Sequence, residues 1–80
     1  YIGKKVEIIH LSLNPGEVLE KHTNPFDVAI YVLEGTGIIE TDDNSVAVEP
    51  DMCIEIESGA NRGVKNTGMG LLRILVVKIF

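Results

Sequence analysis

The chain has 80 residues, with 12 acidic and 7 basic side chains, a net charge of −5 and one cysteine. That length suits a single domain over residues 1–80, whose one core gains little net stability without sheet closure, a metal or a partner subunit. The acidic balance excludes a nucleic-acid partner, the lone Cys53 excludes an internal disulfide, and no apolar run is long enough to span a bilayer.

In chain order, Lys5 to Leu13 is rich in β-branched residues and partly alternates, which predicts a strand. Asn14-Pro15-Gly16 supplies a turn, because proline fixes φ and glycine accepts a positive one. Glu17 to His22 is a short polar strand that ends at the corner Thr23-Asn24-Pro25. Val28 to Leu33 is a continuous apolar run and is expected to be a strand buried on both faces. Gly35-Thr36-Gly37 marks a bend, and Ile38–Thr41 and Ser45–Glu49 form a hairpin around Asp42-Asp43-Asn44. After Glu49-Pro50-Asp51, Met52 to Glu57 alternates apolar and polar. Arg62 to Asn66 is a short strand, and Leu71 to Phe80 is the last and most apolar one.

Nowhere does a helical period persist. Strands recur about every 8–12 residues between turn signals, the pattern of an all-β sandwich or barrel. The short N-terminal and long C-terminal strands are expected to be sheet edges, paired across the interface of a homodimer. No basic amphipathic stretch suits a membrane surface and no secretory signal pattern is present, so a soluble, cytoplasmic protein is expected. The first residue is Tyr1 rather than Met, which leaves room for a native start upstream.

The turn glycines and the residues around them resemble the two motifs of the cupin superfamily. The first motif is G-x5-H-x-H-x3-E-x6-G. Gly16, His22 and Gly35 match it, while Asn24 stands at the second histidine and Val28 at the glutamate. The second is G-x5-P-x-G-x2-H-x3-N. Gly59 and Asn66 match it, while Asp51, Glu57 and Arg62 stand at the first glycine, the proline and the histidine. Tyr31 to Gly37 and Asn66-Thr67-Gly68 also have the family's usual wording, and the resemblance runs from Leu11 to Val77. It implies a cupin-type double-stranded β-helix, a jelly-roll barrel.

The resemblance also implies where a site would lie. Family metal ligands are three histidines and a glutamate, and of those positions only His22 keeps its type. Arg62 is cationic at a ligand position and repels a divalent ion, so no cofactor is expected, with a divalent metal on His22 as the alternative. His22, Asn24 and Arg62 would instead converge in a barrel lined by Val28, Ile30 and Ile56, with the Tyr31 hydroxyl as a further contact. Such a pocket suits a small anionic or sugar-like molecule, since guanidinium matches carboxylate and phosphate.

Blander readings stand beside this one. Arg62 can turn outward to pair with Glu55 or Glu57, leaving a plain core and a structural or interaction domain. His10 can join His22, with Asp27 or Glu17, or simply lie at the surface. Cys53 has no basic neighbour and reads as a small hydrophobe. An isomerase- or dioxygenase-type enzyme with an unusual metal-ligand set is the remaining alternative, and fold alone does not choose among the three.

Overall fold

The computed structural model describes every residue from Tyr1 to Phe80. Eight strands and no helix make up the chain: β1 (Val6–Leu13), β2 (Val18–His22), β3 (Asp27–Glu34), β4 (Gly37–Thr41), β5 (Ser45–Val48), β6 (Cys53–Ile56), β7 (Arg62–Asn66) and β8 (Leu72–Ile79). They form two antiparallel four-stranded sheets, in the orders β1-β8-β3-β6 and β2-β7-β4-β5. Chain-neighbouring strands mostly fall in different sheets, so the chain winds between two layers as a jelly roll does. The expected all-β double-stranded β-helix is therefore the fold.

Alternation along the strands explains the core. Val28, Ile30 and Val32 on β3 and Leu72, Ile74 and Val76 on β8 point inward from the larger sheet. Ile39, Val48 and Val64 meet them from the smaller one, and Ile56 completes the cluster. Burying each such side chain contributes about 1.5–3 kcal/mol. The β3 run is not buried on both faces as its sequence suggests. Ala29, Tyr31 and Leu33 point outward and are only half-buried, because no layer packs against that side.

The expected edges also differ. β8 lies between β1 and β3, so it is interior, and the edge strands are β1, β6, β2 and β5. A long, mostly apolar strand belongs where both of its sides are hydrogen-bonded. Residues before β1 fold back along its outer edge: Tyr1 N donates to Ile8 O at 2.9 Å, Ile8 N to Tyr1 O at 2.7 Å and Gly3 N to Val6 O at 2.8 Å.

The motif glycines prove to be backbone devices. Positive φ angles occur at Gly16 (84°), Gly35 (85°), Gly59 (82°) and Asp51 (72°), which are the four glycine positions of the two motifs. At Gly35 a Cβ would also strike the Leu71 carbonyl and lie 2.9 Å from Leu72 Cα. Asp51 tolerates the conformation as the third residue of the turn Glu49-Pro50-Asp51-Met52, closed by Met52 N donating to Glu49 O at 3.2 Å.

Asn66 is equally architectural. Its buried amide donates to Leu13 O (2.9 Å) and Gly70 O (2.8 Å) and accepts from Gly68 N (2.9 Å). It thereby ties the end of β1 to the β7–β8 turn. No helix of the structure is long and apolar enough to cross a membrane.

Candidate functional site

A cavity of about 160 Å³ opens at one end of the barrel, between the two sheets. Its walls are apolar: Ile9, Leu11, Ile30 and Val76 from one sheet, Leu19 and Val64 from the other. His22, Arg62 and Lys78 are its polar lining. Of the apolar residues expected there, Ile30 lines the cavity, whereas Val28 and Ile56 are sealed in the core.

A bulge sets the site. β2 pairs Val18 with Lys65 and Leu19 with Val64, then slips by one so that His22 faces Arg62. The extra residue reverses the alternation of side chains, and His22 follows Leu19 to the inner side. Gly63 makes room for it, because a Cβ there would lie 3.0 Å from Lys21 Cγ and 3.1 Å from Leu19 O. His22 Nδ1 lies 3.1 Å from Glu20 O. A carbonyl only accepts, so the neutral ring donates through Nδ1 and keeps Nε2 as a free acceptor.

Arg62 points inward with Val64 and Asn66 and is only 5% exposed. No carboxylate pairs with it: the ion pairs are Lys21 and Lys65 with Glu40, Arg73 with Glu34, and Lys78 with Glu7. The expected alternative, an outward Arg62 paired with Glu55 or Glu57, is therefore wrong. With the Asn24 amide oriented so that its oxygen faces the guanidinium, the orientation that satisfies both groups, Arg62 Nη1 donates to Asn24 Oδ1 at 2.9 Å and Nη2 donates to the same oxygen, while Asn24 Nδ2 donates to Thr23 O at 3.2 Å. Gly59 N, donating to Asn24 O at 2.8 Å, holds that corner in place. Burial pulls the guanidinium below its ordinary pKa, and it remains a cation at neutral pH.

Of the residues expected to converge, His22 and Arg62 line the cavity, Asn24 touches Arg62 without lining it, and Tyr31 does not join them. It lies on the outer face of β3, where its hydroxyl donates to Asp51 Oδ1 at 2.7 Å. The parity of Val28, Ile30 and Val32 places it there. His10 also faces outward and accepts from Arg73 Nε at 3.3 Å. Asp27 accepts from Ser58 N at 2.9 Å and Glu17 from Asn14 N at 2.6 Å, so neither approaches His22. Cys53 is exposed.

Lys78 is the residue the sequence reading passed over. It continues the inward series Leu72, Ile74, Val76, so the signal was available in the alternation of β8. Its Nζ lies 3.8 Å from Glu7 Oε1 and 5.7 Å from the centroid of the Phe26 ring, which stacks edge-on against Phe80.

These residues do not fit a divalent metal. The four ligand positions of the motifs hold one imidazole, an amide whose oxygen is taken by Arg62, a hydrocarbon and a cation. No group of three or more His, Cys, Asp or Glu side chains is placed to hold an ion. What the site offers is a buried positive charge beside an apolar chamber.

Comparison with known proteins agrees with the fold. A family model described as Cupin domain matches residues 9–78. The chain is 30% identical over 60 residues to the tetracenomycin polyketide synthase protein TcmJ of Streptomyces glaucescens, an alignment covering 74% of this chain and 40% of that protein. The chain thus spans well under half the length of this curated relative. A predicted oxalate decarboxylase from Thermotoga maritima superposes with a TM-score of 0.84 at 26% identity, over 91% of this chain and 64% of the other. A cupin superfamily protein from Desulfitobacterium hafniense superposes with a TM-score of 0.89 at 19% identity, over 100% of this chain and 72% of the other.

Proposed function

The chain belongs to the cupin family, and from that premise we propose that its barrel binds a small carboxylate with an apolar body. The single observation that carries this reading is Arg62, a residue only 5% exposed on the cavity wall whose guanidinium has no acidic partner. An unpaired buried charge is costly, and an anion seated against it recovers that cost. A carboxylate matches the planar fork of the guanidinium, Asn24 holds the fork in place, and His22 Nε2 and Lys78 add polar contacts at the rim.

Size and polarity narrow the class. A cavity of about 150 Å³ lined by Leu, Ile and Phe accepts benzene, so the chamber here suits one ring or a short branched chain. The six apolar lining residues offer no partners for the hydroxyls of a sugar, which disfavours the sugar-like half of the expectation. Thermal-shift measurements with benzoate, isovalerate, glucose and inorganic phosphate test the reading. The two carboxylates should raise Tm, and at about 100 times Kd the stabilisation is about 2.7 kcal/mol. No response to any of them would refute it.

A second reading, an enzyme, is favoured by the relatives, one a polyketide synthase protein and one a predicted oxalate decarboxylase. Elemental analysis before and after chelation separates it from simple binding. Stoichiometric metal that is lost in His22→Ala would favour a metal enzyme with an unusual ligand set.

A further inference from the structure

The mouth of the chamber is charged as well as its wall. β1 and β8 pair in register, with Ile9 opposite Val76 and Glu7 opposite Lys78. Ile9 and Val76 line the cavity, so the alternation of both strands carries Glu7 and Lys78 to the same inner side.

Lys78 is held there from two directions. Its Nζ lies 3.8 Å from Glu7 Oε1 and 5.7 Å from the centroid of the Phe26 ring, within cation–π range. Phe26 in turn packs edge-on against Phe80, with the ring centroids 5.0 Å apart. The side chains of Lys78 and Glu7 are 25% and 26% exposed, so water screens their charges only in part.

The fixed charges at this end of the barrel are two cations and one carboxylate. Lys78 has Glu7 and Arg62 has no acidic partner. The other ion pairs, Lys21 and Lys65 with Glu40 and Arg73 with Glu34, lie on the outer faces of the sheets. One positive charge is therefore unmatched, the one on Arg62. Given the reading that Arg62 seats a carboxylate in this chamber, we propose that Glu7 sets the charge of the ligand. By answering Lys78 it makes the barrel a site for a monocarboxylate and turns away a dicarboxylate of the same shape.

A second carboxylate directed at the mouth would meet Glu7 beside the very ammonium it needs, and like charges in a partly desolvated place repel strongly. The separation of Nζ from Oε1 exceeds hydrogen-bond length, so Lys78 keeps N–H donors for an uncharged acceptor such as an amide oxygen. Without Glu7, two unmatched cations would face one chamber, which suits a dianion. The selection thus comes from a repulsive element as much as from an attractive one.

Isothermal titration calorimetry with 3-carbamoylbenzoate and isophthalate, which share an outline and differ by one carboxylate, tests this, with benzoate as the reference. The wild type should bind 3-carbamoylbenzoate more tightly than isophthalate by on the order of tenfold or more. Glu7→Gln should bring the two affinities level or reverse their order, and adding Lys78→Met should abolish the gain in isophthalate binding. Glu49→Gln removes the same charge at the end of the smaller sheet away from Arg62, and should leave the preference in place. Circular dichroism verifies folding, and Glu7→Thr takes the place of Glu7→Gln if that variant does not fold. Equal binding of the two acids by the wild type, or an unaltered preference in Glu7→Gln, would overturn the role of Glu7 while benzoate binding upheld the carboxylate reading. Binding of benzoate but of neither larger acid would also overturn it, because shape would then do the selecting. A wild type that binds none of the three would remove the carboxylate reading and the role of Glu7 with it.

Discussion

His22 and Arg62 stand directly opposite each other across the β2–β7 ladder, although the register one step earlier would set Arg62 against Lys21. The slip between the two pairings brings an imidazole rather than a lysine side chain opposite the guanidinium. Gly63 is the only residue of β7 without a side chain, and it lies beneath the slip.

Gly63→Val should therefore damage stability and site together. Its side chain would press on Lys21 and Leu19, at a cost of about 1–3 kcal/mol. Urea denaturation measures the loss, and the His22 imidazole resonances should cease to respond to benzoate. A variant with normal stability and a normal histidine response would refute the role given to the bulge.

Arg62→Met should move stability and binding in opposite directions. Replacing a buried, unpaired cation by an apolar group of similar length gains about 1–4 kcal/mol, or roughly 4–8 °C in Tm per kcal/mol. The Tm increase caused by benzoate should vanish. A fall in the Tm of the variant itself would mean that the guanidinium holds the barrel together instead of serving a ligand.

Asp51 keeps a left-handed backbone at a position where the motif has glycine. Relieving that strain is worth about 1–2 kcal/mol, but Asp51→Gly also removes the acceptor of the Tyr31 hydroxyl. The gain should appear in full only in a Tyr31→Phe background. A double-mutant cycle by chemical denaturation reads the coupling, and equal effects in both backgrounds would exclude it.

The same pair makes an alkaline prediction. Its hydrogen bond to Asp51, with desolvation adding to it, raises the Tyr31 pKa above the ordinary value. A raised folded pKa favours the neutral form, so the stabilisation is complete below the ordinary tyrosine value of about 10 and is lost as pH rises through the folded one. Thermal melts above about pH 10 should fall more steeply for the wild type than for Tyr31→Phe. Parallel profiles would contradict this.

Asn66→Ala should be the most damaging single change outside the core. It strands Leu13 O, Gly70 O and Gly68 N, each of them served by one side chain. Unsatisfied groups of this kind cost about 1–3 kcal/mol apiece, so the variant should melt well below the wild type or fail to accumulate.

What could be read from the sequence was what local chemistry determines. Strand positions followed from alternation, and the turns from Pro50 and the motif glycines, whose positive φ angles explain their spacing. The direction of Arg62 was not legible, since its motif position suits an inward guanidinium while Glu55 and Glu57 suit an outward one, and only the packing of β7 decides between them. The slip at β2 was not legible, because it depends on packing between Gly63 and Lys21 that no local pattern announces. Nor was the interior place of β8, since the order of strands in a sheet is set by contacts distant in sequence. Tyr31 and Lys78 are different cases. The parity of their own strands carried the answer, and an aromatic hydroxyl and a terminal lysine drew attention away from it.

The interior position of β8 also governs the order in which the barrel is made. Val6 pairs with Ile79, and β8 is the only strand joining β1 to β3. A nascent chain emerging from the ribosome can close the hairpin of β4 and β5 early, but it cannot complete the larger sheet until β8 has been synthesised. Until then β1 and β3 each present an open, apolar side. Such late, long-range closure slows folding and exposes strands that aggregate, so a nascent chain that stalls before Leu72 would be a substrate for chaperones rather than a partly working barrel.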